Sequence, residues 1–353
     1  MQPLREAVYR LPPLPTVREL INLFGLRARK QLSQNFLLDP RITEKFVRAA
    51  GGKKLSNSYV CEVGPGPGPI TRSIINAGVE RLIVIEKDKR FLPTLQILSD
   101  SYDNRVDIHL GDVLSFNMST MFPEELRRQD WADQPPRIGI MGNLPFSVST
   151  PLIIRWLQDI SERKNAWSYG RVPLTLTFQK EVAERIVAKE KGTQRCRLSL
   201  MSQAWCDVDL KFIIKGSSFV PKPDVDVGVV HMVPKAIPAV SVPFKVFEKV
   251  TRTVFSMRQK YCITPFRRLF PEAMRDEIPG ELLQKSGVAP QMRPFQLSLQ
   301  QFSDMASLYW ETCQKCEGLF EYDHRAPLPA RQEIEWSNRV HGKDNYERLD
   351  YFE

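Results

Sequence analysis

The stretch Val60-Cys-Glu-Val-Gly-Pro-Gly-Pro-Gly-Pro-Ile-Thr71 decides how this 353-residue chain is expected to fold. Its first four residues are typical of a buried strand, and three alternate glycines, Gly64, Gly66 and Gly68, follow before a helix begins. Because glycine has no side chain, the backbone here can turn sharply and approach a ligand closely. Pro69 suits the first position of a helix, where its missing N–H costs little. The stretch therefore predicts a strand, a ligand-binding loop and a helix.

The spacing of these glycines argues against two common phosphate-binding loops. A dinucleotide fingerprint needs Gly-x-Gly-x-x-Gly, and Pro69 occupies the place of its last glycine. A P-loop needs Gly-Lys-Ser/Thr, which does not follow the stretch. The loop instead suits an uncharged or zwitterionic cofactor such as S-adenosyl-L-methionine, and a nicotinamide-dependent oxidoreductase is disfavoured.

On either side of the loop, short apolar runs alternate with stretches long enough for helices. This alternation predicts an α/β fold with a parallel sheet covered by helices. Residues 210–215 and 225–232 have no helix between them and predict an antiparallel pair at the end of the sheet. The expected parallel strands are residues 59–63, 81–86, 106–110, 138–141 and 174–178.

Two acidic residues follow the next two predicted strands. Glu86 stands 22 residues after Gly64, where a carboxylate can accept hydrogen bonds from both hydroxyls of a ribose. Asp112 is placed to accept from an adenine amine, and Val113 offers an apolar wall beside it. Ligands of open α/β sheets bind at the carboxyl ends of the strands. A glycine loop, a glutamate and an aspartate at three consecutive strand ends therefore predict one cofactor site.

The fourth strand leads into Asn143-Leu144-Pro145-Phe146, which resembles the Asn/Asp-Pro-Pro-Tyr/Phe box of methyltransferases that act on an exocyclic amine of adenine. The lone pair of that amine is delocalised into the purine, so the amine is a poor nucleophile. The Asn143 side-chain carbonyl and a main-chain carbonyl beside Pro145 can accept its two hydrogens. Phe146 can stack on the base and orient it toward the methyl group. The alternative is an ordinary proline turn after a strand.

Together the motifs resemble the ribosomal RNA adenine dimethyltransferase family, over about residues 28 to at least 300. The resemblance implies the Rossmann-like sheet of S-adenosylmethionine-dependent methyltransferases, with a smaller all-helical C-terminal domain. The resemblance implies cofactor contacts from Asn35, Leu37 and Lys87. It also implies that Phe219, in Phe219-Val-Pro-Lys-Pro-Asp-Val-Asp226, sandwiches a flipped-out adenine against Phe146. The chain departs from many relatives at Pro69, where they have glycine, and at Phe146, where tyrosine is common. The resemblance implies cofactor binding by Asn35, Leu37, Gly64, Gly66, Glu86, Lys87, Asp112, Val113 and Asn143.

Beyond the sheet, three prolines between residues 234 and 243 predict a linker. Helices are predicted after it over residues 244–255, 267–270, 280–286 and 299–310. Residues 249–271 contain six basic residues and no acid, with aromatic residues interleaved. Such a segment suits the phosphates and exposed bases of loop RNA. The alternative is a helical hairpin whose aromatic side chains face the core. The RNA-binding candidates are Arg252, Arg258, Lys260, Arg267 and Arg268.

The predicted organisation of the chain has four parts. They are a targeting peptide or basic arm (1–27), a methyltransferase catalytic domain (28–235), a helical RNA-binding domain (240–330) and a charged tail (331–353). The first 30 residues hold six basic residues and two acids, which is compatible with organellar targeting. The opening Arg10-Leu-Pro-Pro-Leu-Pro-Thr16 is similar to the mitochondrial branch of the family and indicates the mitochondrial matrix.

Composition sets weaker bounds. Fifty Lys and Arg against 41 Asp and Glu give a net charge of +9, which permits an anionic partner. The six cysteines are scattered, and only Cys313 and Cys316 form a CxxC pair, so a metal site is not predicted and a reducing compartment is favoured. Since no run of about 18 apolar residues occurs, a membrane span is not expected.

The leading hypothesis is a monomeric enzyme that uses S-adenosyl-L-methionine to dimethylate two adjacent adenines. By resemblance, these adenines lie in a 3′-terminal hairpin loop of small-subunit ribosomal RNA, within the assembling mitochondrial small ribosomal subunit. The alternative is a non-catalytic factor that binds nucleic acid and serves mitochondrial transcription or ribosome assembly, with the transcription machinery as its partner. An intact Asn143-Leu-Pro-Phe146 box together with Glu86 and Asp112 favours the enzyme, because a pure binding protein does not need all three features.

Overall fold

The computed structural model describes residues 35–326, together with Pro13, Pro15 and Glu19. The predicted tail of residues 331–353, and the predicted arm of residues 1–27 apart from those three, lie outside the described residues. Among the described helices, none is both long and apolar enough to cross a bilayer.

The described chain forms two compact units. The first takes the chain up to Glu184 together with Cys206–Ala236, and the second takes Arg185–Trp205 and the chain from Ile237 onward. This division differs from the predicted continuous catalytic range of residues 28–235, because Arg185–Trp205 packs with the helical unit. Its residues Leu200, Met201 and Ala204 are fully buried there.

The described strands are β1 (Phe36–Leu37), β2 (Tyr59–Val63), β3 (Arg81–Glu86), β4 (Val106–Leu110), β5 (Ile138–Gly142), β6 (Leu174–Gln179), β7 (Cys206–Ile214), β8 (Phe219–Val220) and β9 (Val227–Pro234). The first unit contains a seven-stranded sheet in the order β4-β3-β2-β5-β6-β9-β7. Neighbouring strands from β4 to β6 are parallel, whereas β9 pairs antiparallel with both β6 and β7. The five predicted parallel strands and the predicted antiparallel pair are thus confirmed. A two-stranded antiparallel sheet, β1-β8, stands apart from the large sheet.

Ten α-helices are described, and their ends follow local sequence signals. The helix after the glycine loop begins at Pro69, as predicted, with Gly68 as its N-cap in the left-handed region. The helix predicted for Arg267–Phe270 is instead a short 3₁₀ turn over Arg267–Leu269. The helices are α1 (Pro40–Ala50), α2 (Pro69–Asn76), α3 (Leu92–Asp100), α4 (Phe146–Glu162), α5 (Lys180–Val187), α6 (Arg197–Trp205), α7 (Phe244–Phe255), α8 (Ile263–Phe266), α9 (Ile278–Lys285) and α10 (Leu299–Lys315).

The second unit is helical and is held by its own aromatic core. Trp205 of α6 packs against Phe244 and Phe247 of α7, with ring centroids 5.0 Å and 5.5 Å away. Further along α7, the ring of Phe255 stacks on Phe302 of α10 at 5.5 Å. The apolar face of α7 is therefore covered on both sides, while Lys245 and Arg252 on the same helix stay exposed.

The centre of the large sheet depends on the close approach of β2 and β5. Val63 and Gly142 are paired at the carboxyl ends of these strands. A Cβ atom on Gly142 would lie 2.5 Å from Val63 Cγ2 and 2.7 Å from the Val63 main-chain oxygen, which is closer than real Cβ atoms come. Glycine at this position is therefore required by packing.

We expect Gly142→Ala to lower the free energy of unfolding by about 1–3 kcal/mol, because the added methyl group forces β5 away from β2. Gly139→Ala is the matched control on the same strand, since a Cβ atom there meets nothing within 4 Å. Urea unfolding of both variants tests this, and equal stabilities would contradict the packing argument.

Candidate active site and RNA surface

A cavity of about 280 Å³ opens at the carboxyl ends of the parallel strands in the first unit. All nine residues predicted to bind the cofactor line it, because the parallel strands bring their carboxyl ends to one edge. Leu144 and Pro145 of the predicted catalytic box also line it, whereas Phe146 and Phe219 do not. The lining is Asn35, Phe36, Leu37, Gly64, Pro65, Gly66, Pro69, Ile70, Ile85, Glu86, Lys87, Gly111, Asp112, Val113, Asn143, Leu144, Pro145, Ser147 and Val148.

The glycine loop is tied to the end of β3 by Glu86. The backbone N–H of Gly66 donates to Glu86 Oε2 at 3.0 Å, and the N–H groups of Lys87 and Asp88 donate to Oε1 at 2.8 Å each. Burial raises the pKa of Glu86, and these three N–H donors oppose that rise. Glu86 therefore shapes the loop as well as offering acceptor oxygens to the cavity.

The cavity wall beside β4 is closed by an ion pair. Lys87 Nζ donates to Asp112 Oδ2 at 2.8 Å, and the backbone N–H of Leu114 donates to Asp112 Oδ1 at 3.0 Å. The hydrogen bond from Lys87 lowers the pKa of Asp112, so the carboxylate stays ionised and remains an acceptor. Val113, only 8% exposed, lies next to it and supplies the predicted apolar wall.

Glu62 is an acidic residue of β2 that the sequence analysis did not single out. Its side chain is 1% exposed, and Thr71 Oγ1 at the start of α2 donates to Glu62 Oε2 at 2.7 Å. Burial raises the pKa of Glu62 to about 8, with the hydrogen bond from Thr71 opposing the rise. This bond joins the strand before the glycine loop to the helix after it. An acid inside an otherwise apolar strand was the signal available in the sequence.

The side-chain amide of Asn143 is held in one orientation by two hydrogen bonds. Its Nδ2 donates to the main-chain oxygen of Asn35 at 2.9 Å, and Thr177 Oγ1 donates to its Oδ1 at 2.8 Å. Because a main-chain carbonyl only accepts, the amide nitrogen must face Asn35. Thr177 is a second residue that sequence analysis missed.

The two rings of the predicted aromatic sandwich differ in their exposure. Phe219 is only 2% exposed and belongs to an apolar cluster with Phe36 and Leu37, while Phe146 is half-buried and packs against that cluster. The reason is the β1-β8 sheet, in which Leu37 pairs with Phe219 and draws its ring into the core. In this structure Phe146 is therefore the more accessible of the two rings.

The chemistry of the cavity fits S-adenosyl-L-methionine. A Cβ atom on Gly64 would lie 2.7 Å from Leu144 Cδ2, so the bare backbone at φ +67° keeps this part of the cavity open. The carboxylates of Glu86 and Asp112 suit hydroxyl and amine donors. The Lys87 ammonium balances the charge of Asp112, so the lining offers hydrogen-bond acceptors without a large net charge. No group of three His, Cys, Asp or Glu is placed to hold a metal ion anywhere in the described part of the chain.

In the second unit, the structure divides the predicted RNA-binding residues. Arg252, Lys260 and Arg267 are exposed and Arg268 is half-buried, which leaves all four accessible to a phosphate. The guanidinium of Arg258 instead donates to the main-chain oxygens of Arg195, Gly192 and Thr193 at 3.1, 3.4 and 2.6 Å. This finding corrects the prediction for Arg258, which holds a loop of its own unit.

The aromatic residues interleaved with the basic ones also differ from expectation. Phe266 and Phe270 are fully buried, as the helical-hairpin alternative proposed, and only Tyr261 is half-exposed, at 50%. Lys249 is turned inward as well, with its ammonium donating to the main-chain oxygens of Phe320 and Tyr322. These rings pack in the core of the helical unit, so few side chains of the segment remain to stack on exposed bases.

Arg252 and Arg268 share a cavity of about 440 Å³ within the second unit. Lys249 and Arg325 also line it, and burial lowers the pKa of Lys249 to about 8. Burial lowers the pKa of His324 in the same wall, and the charges of Arg268 and Arg325 lower it further. Five basic side chains and three acidic ones line the cavity, so basic groups are in excess. The cavity thus offers a site for an anion.

Comparison with known proteins places these features in context. The sequence profile described as "Ribosomal RNA adenine dimethylase" matches residues 25–310. The human protein named "Dimethyladenosine transferase 1, mitochondrial" is 52% identical over 337 residues, which cover 96% of each chain. The Drosophila melanogaster protein of the same name is 47% identical and covers 90% of this chain and 94% of its own. The crystal structure of a dimethyladenosine transferase from Plasmodium falciparum shares the fold, with a TM-score of 0.58, 23% identity and coverage of 79% of this chain and 98% of that chain.

We expect Glu62 to make the stability of the protein depend on pH. Its folded pKa, about 8, lies above its ordinary value of 4.5, so its contribution is fully present below about pH 4.5 and is lost as the pH rises through 8. Glu62→Gln stays neutral and should unfold like the wild type near pH 5, yet be more stable by roughly 2–4 kcal/mol at pH 9.

Urea unfolding of the purified protein at several pH values measures this difference. The exposed Glu80→Gln variant is the control and should follow the wild type throughout. Parallel pH profiles for Glu62→Gln and the wild type would show that Glu62 is not the group responsible.

Proposed function

Since this chain belongs to the ribosomal RNA adenine dimethylase family, we propose that it dimethylates two adjacent adenines in mitochondrial small-subunit ribosomal RNA. The chain is an S-adenosyl-L-methionine-dependent methyltransferase, as its family membership establishes. The two target amines are proposed to lie in the hairpin loop near the 3′ end of the RNA. The observation that carries the proposal is the position of Asn143, whose oriented amide shares one cavity with Glu86 and Asp112.

The residues of the cavity divide the work of holding the cofactor. Glu86 accepts from the ribose hydroxyls, Asp112 accepts from the adenine amine, and Val113 packs against the adenine ring. Gly64 and Gly66 let the backbone approach the ligand, while Asn35, Leu37 and Lys87 complete the walls. When bound, the cofactor supplies a methyl group on a positively charged sulfur.

Asn143 acts on the target amine through its side-chain oxygen. Thr177 occupies one lone pair of Oδ1, and a carbonyl oxygen has two, so one remains to accept an amine hydrogen. The main-chain carbonyl of Leu144 accepts the other hydrogen. Holding both hydrogens favours a pyramidal nitrogen and directs its lone pair at the methyl group. The nitrogen loses its proton after the transfer, so a general base with an altered pKa is not needed.

Phe146 is proposed to stack on the extruded adenine, because its ring is half-buried at the start of α4, directly after the catalytic box. Phe219 supports that position from the apolar cluster on which Phe146 packs. An adenine between them would require Phe219 to leave the core, so we assign the stacking to Phe146.

The proposed site of action is the mitochondrial matrix, on the assembling small ribosomal subunit. Relatives about half identical over nearly the whole chain carry "mitochondrial" in their names, which supports this location. The non-catalytic transcription factor of the alternative hypothesis has no structural observation in its favour among the described residues.

Asn143→Ala should lower kcat for methyl transfer by at least about 100-fold at saturating cofactor, because the amine loses its oriented acceptor. Labelled S-adenosyl-L-methionine and small ribosomal subunits that lack the modification provide the assay, with the labelled bases mapped. Binding of the RNA is the internal control and should be unchanged. Methyl transfer at the wild-type rate would refute the role of Asn143, and label outside adenine would refute the proposed substrate.

Arg252→Ala and Arg268→Ala should each weaken RNA binding and reduce the slope of log K against log salt by about 1, as the loss of one phosphate contact does. Lys285→Ala is the control in the same unit, because Lys285 is already paired with Glu281 at 2.6 Å on α9. Filter binding from 50 to 200 mM salt measures the slopes. Unchanged slopes for both arginine variants would show that the RNA does not contact the cavity of the second unit.

A further inference from the structure

Thr177 lies on the strand next to the catalytic box, and its hydroxyl is 0% exposed. β5 and β6 run parallel, with Gly142 and Leu176 as their last paired residues. The next residue on each strand is therefore Asn143 on one side and Thr177 on the other. This register explains the hydrogen bond of 2.8 Å from Thr177 Oγ1 to Asn143 Oδ1.

The backbone of Thr177 is held on its other side after β5 has ended. β6 continues to Gln179 because it pairs antiparallel with β9, where Thr177 faces Val229 and Gln179 faces Val227. Thr177 is thus fixed by the sheet, whereas Asn143 stands in the segment that leaves the sheet. A rigid donor beside a less constrained acceptor is an arrangement that can position the acceptor.

An asparagine amide needs such positioning. Its terminal torsion joins an sp³ to an sp² atom, so rotation about it has broad minima and little intrinsic preference. One hydrogen bond, from Nδ2 to the Asn35 oxygen, restrains the nitrogen end, and the bond from Thr177 restrains the oxygen end. With both ends held, the free lone pair of Oδ1 has a fixed direction.

We propose that Thr177 is a positioning residue for methyl transfer, which fixes Asn143 Oδ1 in the orientation that accepts the hydrogen of the target amine. This inference rests on the proposed function of Asn143. Thr177 makes no contact with the amine; it acts through the side chain of Asn143 alone. Removal of its hydroxyl leaves Asn143 in the cavity with its amide restrained at the nitrogen end alone, so the direction of Oδ1 is less well defined.

The test compares three variants of the full-length protein. Thr177→Val removes the hydroxyl and nearly keeps the shape, and Thr177→Ser keeps the hydroxyl. Thr175→Val is the matched control, since Thr175 lies two residues earlier on β6, is 1% exposed, and bonds to His231 Nδ1 at 2.9 Å instead of to Asn143. Methyl transfer to unmodified small ribosomal subunits gives kcat and KM, and thermal unfolding reports on the fold.

We expect Thr177→Val to lower kcat about 10- to 100-fold with KM for the RNA changed less than about two-fold, as for a misplaced catalytic group. Thr177→Ser and Thr175→Val should keep kcat within about two-fold of the wild type. Adding Thr177→Val to Asn143→Ala should produce no further loss, because the two residues act as one unit.

Wild-type kcat in Thr177→Val, or an equal loss in Thr175→Val, would overturn the inference. A further loss in the double variant would overturn it too, since Thr177 would then act apart from Asn143. Failure of the proposed function would give different results: the wild type would not methylate adenine, or Asn143→Ala would retain full activity. In either case the role of Thr177 would be refuted as well.

Discussion

The close approach of β2 and β5 at their carboxyl ends is the constraint on which the site depends. Gly142 allows it, because any larger residue would collide with the side chain and main-chain oxygen of Val63. Gly64, one residue after Val63, leaves room for Leu144, which stands two residues after Gly142. The glycine loop and the catalytic box consequently share one cavity, and this adjacency is what lets a methyl donor and its acceptor meet.

Buried carboxylates hold this arrangement together at some cost in stability. Glu86 ties the glycine loop to β3 through backbone N–H donors, and Glu62 ties β2 to α2 through Thr71. Burial raises the pKa of both carboxyls, and hydrogen bonds to each oppose the rise. Both carboxyl groups are therefore held in place by hydrogen bonds within the protein, and Glu86 also offers acceptor oxygens to the cavity.

The helical unit shows why a basic and aromatic segment is an ambiguous signal. One segment serves two purposes, since Phe266 and Phe270 build the core while Arg252 and Lys260 stay exposed. The guanidinium of Arg258 donates to the main-chain oxygens of Gly192, Thr193 and Arg195. These lie in Arg185–Trp205, a segment that sequence order assigned to the other domain. Periodicity cannot reveal such partners, because they lie some 60 residues away along the chain.

The sequence by itself determined the strands of the large sheet, the helix start at Pro69 and the nine cofactor-binding candidates that line the cavity. These follow from local patterns and from the rule that parallel strands end at one edge. Only the tertiary structure decided that Glu62 is buried and neutralised, that Thr177 orients Asn143, that Phe219 packs into the core, and that Arg185–Trp205 joins the helical unit. Each of these depends on contacts between residues distant in sequence, and neither the pairing register nor burial can be read from neighbouring residues alone.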